Sequence, residues 1–282
     1  MSYIFLNNKI IKDSEAKISI HDRALQFSDG IYEVILLNSG NFIDLDAHIE
    51  RLFSSLAMLK IKLSFNKEEL IAKIINYQKK IKEHNNALYI QITRGTAKRV
   101  QTLDIDSEAN IIMYFLNNKS LDKQDILNGF SAITHDDIRW KKCEIKSTSI
   151  LANLLCKEKA NELSACEAIL IEDNHVTEGS FSNIFIIDEN NNLITRPIDD
   201  GRILPGITRA RILKLAQQNN INIDIRKYSK TELFSAKEVF ASSSTMLIRP
   251  IIKIDEQIIG SGKTGDITKK LISLYQDFLD KS

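Results

Sequence analysis

A lysine and a glutamate are the residues of this chain whose combined chemistry is most specific. Lys146 lies in the segment 144–148, and Glu178 lies downstream in the polar run 176–183. A lysine amine can form a Schiff base with an aldehyde, and a carboxylate can keep a pyridine nitrogen protonated so that the ring withdraws electrons. The two residues together therefore suggest an enzyme that uses pyridoxal phosphate.

Two further segments offer groups that bind anions. Gly206 comes directly before a predicted helix, where backbone N–H groups and the Thr208 hydroxyl can hold a negative charge. The run 242–245 follows a predicted strand and clusters hydroxyl side chains. Two such segments together with an arginine would suit a phosphate monoester.

Each of these features also has a more common explanation. A lysine such as Lys146 is usually exposed, and Glu178 beside Gly179 is typical of a polar β-turn. A glycine before a helix and a run of serines occur in many loops that bind nothing. Single residues therefore leave both explanations open, and the order of the segments along the chain has to decide.

The composition predicts a soluble globular protein. The chain has 282 residues, of which 43% are hydrophobic, and its formal charge is +1. This length allows one large domain or two smaller ones, and the balanced charge argues against nucleic acid as a partner. The N-terminal segment lacks the pattern of a signal peptide, and no apolar run approaches the roughly 18 residues of a membrane span. We therefore expect a cytoplasmic protein without membrane contact.

The cysteines argue against a metal site. Cys143, Cys156 and Cys166 form no C-x-x-C pair and have no histidine cluster nearby. Neither a zinc site nor a disulfide framework fits such spacing. A reducing compartment fits best.

Strands and helices can be predicted along the first half of the chain. The first 43 residues favour a hairpin-rich start, and strands at 87–94 and 110–116 flank a long polar loop. From Asp46, which we predict as a helix cap, apolar residues recur at helical spacing. A second helix at 67–82 would begin with a capping box formed by the residues Asn66 and Glu69.

The second half alternates strands and helices after a predicted linker at 117–128. A helix over 149–164 is expected to turn four side chains toward the core. These are Leu151, Leu154, Leu155 and Ala160. A helix at 208–219 follows the segment around Gly206. This mixed order indicates α/β and α+β layers.

Taken in order, the segments resemble one protein family over nearly the whole chain. The sequence resembles the class IV, or fold-type IV, pyridoxal phosphate aminotransferases, and among them the D-amino acid aminotransferases. The matching segments are 22–23, 27–34, 48–52, 93–95 and 137–140, with those around Lys146, Glu178, Gly206 and Ser243. The resemblance implies a two-domain fold of α/β and α+β character, with a smaller α+β domain at 1–120 and a larger cofactor-binding domain at 121–282.

The resemblance also implies a role for each cofactor residue. Lys146 would form the Schiff base and move a proton between substrate Cα and cofactor C4′, while Glu178 would pair with the pyridine nitrogen. Leu204 would lie against the cofactor ring. The phosphate would be held by Arg51, Ile207, Thr208 and Ser244, with Ser243 beside it. These residue types suit a phosphate, because arginine offers a forked donor and a helix start offers oriented amides.

On the substrate side the chain departs from the family pattern. Tyr32 would lie near Lys146, and an Arg-x-His element after Thr-Arg-Gly would bind the substrate carboxylate. The matching residues are Arg99, Val100 and Gln101, so the arginine is present and the histidine is replaced. Gln101 can donate one neutral hydrogen bond but carries no titratable charge. A weaker or altered hold on the carboxylate is therefore left open.

The implied reaction is transamination in a homodimer. A D-amino acid of the D-alanine type and a 2-oxo acid such as 2-oxoglutarate would give a 2-oxo acid and D-glutamate, so the partners are small molecules. Branched-chain aminotransferases and aminodeoxychorismate lyases of the same fold are alternatives, but their segments after the lysine fit 147–151 less well. A pyridoxal phosphate-binding protein without activity is a third alternative, although such a protein would not need Lys146.

Overall fold

A computed structural model describes residues 3–116 and 123–282 and divides the chain into two compact units. The first unit comprises Met1–Lys119 with Ile145–Ser149, and the second comprises Ser120–Glu144 with Ile150–Ser282. The predicted domain boundary after residue 120 and the first half of the predicted linker lie outside the described residues. The segment Ile145–Ser149, which the predicted division assigned to the second domain, packs within the first unit.

The first unit is built on an antiparallel sheet. Its described strands pair in the order β2-β1-β6-β5-β3-β4. The strands are β1 Tyr3–Leu6, β2 Lys9–Lys12, β3 Gly30–Asn38, β4 Asn41–Phe42, β5 Asn86–Thr93 and β6 Asn110–Leu116. The predicted strands of this half are thus confirmed, and the polar loop at 95–109 joins β5 to β6 without a helix or a strand of its own.

Three α-helices and one short 3-10 helix accompany this sheet in the described residues. They are the 3-10 helix Asp13–Glu15, α1 Arg23–Phe27, α2 Leu45–Leu59 and α3 Lys67–Ile81. Helix α2 buries Ile49, Leu52 and Leu56 against the sheet, as helical spacing of apolar residues requires.

The starts of α2 and α3 test two predicted caps. The capping box of Asn66 and Glu69 is confirmed, with Glu69 N–H donating to Asn66 Oδ1 at 2.9 Å and Asn66 N–H donating to Glu69 Oε2 at 2.8 Å. The prediction that Asp46 caps α2 is wrong, because the cap residue is Asp44 in a left-handed conformation. Asp46 instead lies in the first turn, where its charge suits the helix dipole.

The second unit is built on a mixed sheet. Its described strands pair in the order β12-β11-β10-β13-β14-β7-β8-β9, and β15 pairs with β14. The strands are β7 Phe130–Asp136, β8 Glu167–Glu172, β9 His175–Gly179, β10 Asn183–Ile187, β11 Leu193–Thr195, β12 Ile223–Ile225, β13 Glu238–Ser243, β14 Leu247–Ile254 and β15 Gln257–Ile258. The pairs β7 with β8, β7 with β14 and β11 with β12 are parallel, whereas the other pairs are antiparallel.

Helices are interspersed with these strands. They are α4 Lys123–Asn128, α5 Leu151–Glu162, α6 Ile207–Gln218, α7 Lys230–Ser235 and α8 Asp266–Asp280. The predicted mixture of α/β and α+β layers is confirmed, although the alternation is incomplete because β8 to β11 follow one another without a helix between them. Among the helices of the described residues, none is both long and apolar enough to cross a membrane.

The orientation of α5 differs from the prediction. Leu151, Leu154 and Leu155 are exposed, with 70%, 49% and 57% of their surface accessible, and only Ala160 of the four predicted side chains is buried. The buried face instead carries Cys156 and Ala160, which pack against β7 and β8. Small side chains on this face let the helix lie close to the sheet, so the leucines turn outward.

Candidate active site

The backbone around Lys146 is fixed to strand β3 within the first unit. Tyr32 N–H donates to Lys146 C=O at 2.9 Å, and Thr148 N–H donates to Gly30 C=O at 3.0 Å. Lys146 N–H donates in turn to Ser55 Oγ at 3.3 Å. The preceding side chain, Ile145, belongs to the apolar core. The backbone of Lys146 is therefore fixed through both its C=O and its N–H group. A residue that presents a reactive atom to a substrate needs such a fixed position.

The amine of Lys146 lies over an aromatic ring. Its Nζ is 4.3 Å from the centroid of Tyr32, close enough for a cation–π interaction. Tyr32 stacks on Tyr89 at 5.8 Å, and Tyr89 contacts Tyr114 at 5.0 Å between ring centroids. The structure thus brings together Lys146 and Tyr32, and it adds an aromatic row that sequence reasoning had not identified.

Arg51 belongs to a buried charge cluster in the same unit. Its Nε and Nη2 donate to the two oxygens of Glu33 at 2.7 and 2.8 Å, and His48 Nδ1 lies 2.8 Å from Glu33 Oε2. Burial raises the pKa of Glu33, but Arg51 and His48 outweigh it and hold that pKa well below its ordinary value. Burial lowers the pKa of His48 despite the neighbouring carboxylate. The predicted contact of Arg51 with phosphate stays a prediction.

Glu33 was missed as a site residue although the sequence contains a signal. It lies two positions from each of the buried residues Ile31 and Ile35, so it shares the core-facing side of β3 with them. A carboxylate at such a position requires a charged partner, because an unpaired buried charge is costly. Arg51 and His48, which lie on one helix in the sequence, were the candidates.

Arg99 and Gln101 lie on the exposed loop at 95–109. The guanidinium of Arg99 lies 4.8 Å from the ring centroid of Phe27. The loop backbone is tethered by Arg23, whose Nη1 and Nη2 donate to the carbonyls of Val100 at 2.8 Å and Thr102 at 3.0 Å. The two carbonyls belong to the residues on either side of Gln101. Arg23 therefore holds the loop backbone next to Arg99 and Gln101, the predicted carboxylate-binding pair.

Glu178 is buried at the end of β9 in the second unit and accepts three hydrogen bonds. Arg139 Nη1 donates to Oε1, while Asn183 Nδ2 and Leu204 N–H each donate to Oε2 at 3.0 Å. Burial raises the pKa of Glu178, and the charge and hydrogen bond of Arg139 oppose that rise. Of the predicted residues, the structure therefore brings Leu204 to Glu178 through its backbone.

Arg139 and Asn183 are functional candidates that sequence reasoning missed. Arg139 belongs to the matching segment 137–140, but no role had been given to it. Its Nε and Nη2 donate to Asp137 Oδ1 and Oδ2 at 2.9 and 2.8 Å, which fixes the guanidinium beside Glu178. Asn183 stands five positions after Glu178, at the start of the next strand. Arg139 and Glu178 are 39 positions apart, so only the folded structure shows that these two residues meet.

Helix α6 presents an open N-terminus for an anion. Its cap residue, Gly206, has no side chain, and no side-chain hydrogen bond caps the helix in the described part of the chain. Ile207 and Thr208 form the first turn, where backbone N–H groups lack partners within the helix. The helix packs against β13, in which the buried Ser242 Oγ has no hydrogen-bond partner among the described residues.

The hydroxyl residues at the end of β13 complete this donor set. Ser243 and Ser244 are half-buried, and Ser243 Oγ accepts from Met246 N–H at 3.3 Å. Uncapped amides and an unsatisfied buried hydroxyl fit a phosphate monoester, since both act as donors to oxygen. The described residues contain no group of three or more histidine, cysteine or acidic side chains that could hold a metal ion.

The comparisons with known proteins define the class of this fold and site. The model of the amino-transferase class IV family matches residues 30–254, and the chain belongs to that family.

Its relatives include enzymes named for one substrate. The chain is 39% identical to a D-alanine aminotransferase from Bacillus licheniformis over 97% of this chain and 96% of the relative. It is 37% identical to a D-alanine aminotransferase from Staphylococcus aureus (strain N315) over 99% of each chain. The solved structure of the branched-chain amino acid aminotransferase from Escherichia coli has a TM-score of 0.92 and 22% identity, covering 99% of this chain and 94% of that one. The fold-type IV architecture expected from the sequence is thereby confirmed.

Proposed function

We propose that this aminotransferase uses pyridoxal phosphate to transfer the amino group of a D-amino acid of the D-alanine type to a 2-oxo acid such as 2-oxoglutarate. The products are a 2-oxo acid and D-glutamate. One observation carries the proposal, namely the 39% identity to a D-alanine aminotransferase over nearly the full length of both chains. The groups that such a reaction requires include Lys146 and Arg51, which belong to the first unit, and Glu178, which belongs to the second.

Lys146 is the proposed catalytic residue. Bound pyridoxal phosphate supplies an aldehyde for covalent attachment and a ring that withdraws electrons from the substrate Cα. The Lys146 amine would hold the cofactor covalently and would serve as the acid and base that moves a proton between the substrate Cα and C4′. The Tyr32 ring, 4.3 Å from Nζ, limits the positions that the amine can adopt. The backbone hydrogen bonds between the Lys146 segment and β3 also restrict the position of the amine.

The remaining cofactor residues hold and polarise the group. Glu178 would accept a hydrogen bond from the protonated pyridine nitrogen, because its oxygens have lone pairs left beside their three protein donors. Leu204 would lie against the cofactor ring. We assign the phosphate to an arginine, the amides of a helix start and serine hydroxyls. These residues are Arg51, Ile207, Thr208, Ser243 and Ser244.

Arg99 and Gln101 are the proposed contacts of the substrate carboxylate. Arg99 offers a planar pair of donors that matches a carboxylate, while Gln101 adds one neutral amide donor. Because Gln101 carries no charge at any pH, the hold on the carboxylate should not depend on an imidazole proton. The loop's tether to Arg23 supports a fixed position for this pair.

We further propose that the protein is a homodimer. The exposed leucines of α5, Leu151, Leu154 and Leu155, form an apolar patch on a short stretch of helix. Clustered exposed apolar side chains of this kind are typical of a surface that another protein covers. Because the resemblance to the family implies a homodimer, we propose that a second copy of the chain covers this patch.

A cytoplasmic location is proposed as well. Cys143, Cys156 and Cys166 are free thiols. Free thiols are typical of proteins in a reducing compartment.

A half-reaction panel tests the proposed activity. The cofactor-loaded protein is mixed separately with D-alanine, D-glutamate, L-leucine, L-isoleucine and aminodeoxychorismate, and cofactor absorbance is followed. We expect fast conversion with the two D-amino acids and slow or no conversion with the others. Fast conversion with L-leucine but none with D-alanine would overturn the proposal. The Lys146→Ala variant is the control, and it should lose the visible band of the attached cofactor.

A further inference from the structure

All the partners of Glu178 in the second unit are hydrogen-bond donors. The guanidinium of Arg139 meets Oε1, and the Asn183 amide and the Leu204 N–H meet Oε2. A protonated glutamate would need an acceptor for its own O–H group, and none of these three atoms is one. The hydrogen-bond pattern therefore matches the ionised carboxylate.

Burial opposes that ionised form. Glu178 is only 5% exposed, and a buried carboxylate is stable only when it is paired and hydrogen-bonded. Two of its partners, Asn183 and Leu204, are neutral. Arg139 brings the positive charge that contacts the carboxylate, so it opposes the rise in pKa that burial and the negative charge of Asp137 cause. The charge state of Glu178 thus depends on Arg139.

The position of Arg139 does not depend on Glu178 alone. Asp137, whose side chain is completely buried, binds the Arg139 guanidinium with both oxygens. The Arg202 carbonyl accepts from Nη2 at 3.2 Å, and Thr177 Oγ1 donates to Asp137 Oδ2 at 2.8 Å. The guanidinium is therefore fixed before any ligand arrives, with Nη1 left to meet Glu178.

We propose that Arg139 is a positioning residue that keeps Glu178 ionised and oriented toward a protonated pyridine nitrogen. The inference rests on the proposed function, since it concerns the same cofactor. A neutral Glu178 could not stabilise a positive ring nitrogen, and the ring would then withdraw electrons less strongly. Asp137 acts through Arg139 and not on the cofactor.

The first test uses the cofactor-free protein and measures unfolding as a function of pH. A carboxyl group with a raised pKa stabilises the folded state below its ordinary value of 4.5, and this contribution is lost as pH rises through the raised value. Arg139→Gln should raise the pKa of Glu178 further. Its stability deficit should therefore grow as pH rises above the ordinary value of 4.5, with roughly a tenfold change in the unfolding constant for each pKa unit by which the variant exceeds the wild type.

Arg196→Gln is the matched control for this titration. Arg196 is also buried and paired with a carboxylate, since its Nη2 donates to Asp200 at 2.6 Å, but its hydrogen bonds go to Asp200 and the Val176 carbonyl. Its deficit should change little over the same range. If Arg139→Gln and Arg196→Gln show the same pH dependence, Arg139 is merely structural and the proposal is wrong.

A double-mutant cycle tests the pair if Arg139→Gln folds, and the same cycle made with Arg139→Lys replaces it if Arg139→Gln does not. Glu178→Gln removes one of the two charges that Arg139 neutralises, so Arg139→Gln should cost less in that background, whereas the cost of leaving Asp137 unpaired is present in both backgrounds and cancels from the cycle. Arg139→Lys retains the charge and should keep a nearly normal pH dependence. Additive effects in the cycle, or a pH dependence of Arg139→Lys equal to that of Arg139→Gln, would overturn the proposal.

Binding of pyridoxal phosphate connects the pair to the cofactor. Equilibrium dialysis should show that Arg139→Gln binds pyridoxal phosphate at least about tenfold more weakly than Arg196→Gln does, with Arg139→Lys in between. Equal affinities would contradict the inference while leaving the proposed activity intact. If the wild-type protein itself fails to bind pyridoxal phosphate, the proposed function is wrong, whereas the unfolding cycle still measures the Arg139–Glu178 pair.

Discussion

At the scale of single residues, buried carboxylates paired with arginine distinguish this protein from an ordinary globular chain. Glu33 and Glu178 occupy strand positions within the two units, and each depends on an arginine brought from elsewhere in the sequence. Residue types and order were enough to single out Lys146, Glu178 and Arg51. Glu33 could have been assigned from its core-facing position on β3, whereas Arg139 could not, because its contact with Glu178 joins residues 39 positions apart.

The Glu33 cluster yields a stability prediction. Glu33→Gln leaves Arg51 and His48 buried without their anion, so we expect a loss of about 3 kcal/mol in unfolding free energy near neutral pH. Because the pKa of Glu33 is held low, its contribution is present above its ordinary value of 4.5 and is lost as pH falls toward the lowered value. Urea unfolding at several pH values measures both effects.

Glu50→Gln is the control for Glu33. Glu50 contacts Lys67 at 2.5 Å, but both side chains are substantially exposed, so this change should cost well under about 1 kcal/mol. A Glu33→Gln variant as stable as Glu50→Gln would show that the buried cluster does not support the fold.

At the scale of elements, local signals were reliable where one element determines its own geometry. The capping box at Asn66 and Glu69 predicted the start of α3 because both contacts lie within a few residues. The buried face of α5 was not predictable in that way. Hydrophobic periodicity assigns the leucines of α5 to the core. In the structure Cys156 and Ala160 pack against the sheet instead, so the leucines face outward.

The start of α6 gives the prediction at this scale. A methyl group added at Gly206 would collide with Asn183 Oδ1, whose amide is held by Glu178 and the Leu204 carbonyl. Gly206→Ala should therefore destabilise the protein by about 1–3 kcal/mol, as overpacking of a rigid site does. It should also weaken binding of pyridoxal phosphate, which equilibrium dialysis measures.

Asn183→Ala supplies the control for that collision. With the amide removed, the Gly206→Ala methyl group has room, so the double variant should lose less stability than the two single losses together. Strictly additive losses would mean that the collision is relieved elsewhere and that contact with Asn183 is not what requires a glycine at position 206.

At the scale of the whole molecule, each unit is assembled from two separate stretches of the chain. Lys146 belongs to the first unit, which the chain re-enters for Ile145–Ser149, and Glu178 belongs to the second. A division of the sequence into consecutive domains could not show this return, because a segment of five residues is too short to differ in composition from the residues around it. The family and the mixed layers, by contrast, were predictable from segments spread along the whole chain.

The exposed face of α5 predicts the assembly. Changing both Leu154 and Leu155 to glutamate places charge on the proposed dimer surface, so sedimentation velocity should show monomers where the wild type is a dimer. Ile258→Glu is the control, since Ile258 is equally exposed on β15 but far from α5 in sequence and should leave the dimer intact. A monomeric wild type, or a double variant that stays dimeric, would contradict the proposed interface.

The proposed activity is tested most directly by the product formed from D-alanine and 2-oxoglutarate. Purified protein supplied with pyridoxal phosphate is incubated with both compounds, and the products are separated by chiral chromatography. We predict pyruvate and D-glutamate in equal amounts from the wild type, and neither product from Lys146→Ala. L-glutamate as the product, no glutamate at all, or full activity of Lys146→Ala would contradict the claim that this chain is a Lys146-dependent D-amino acid aminotransferase.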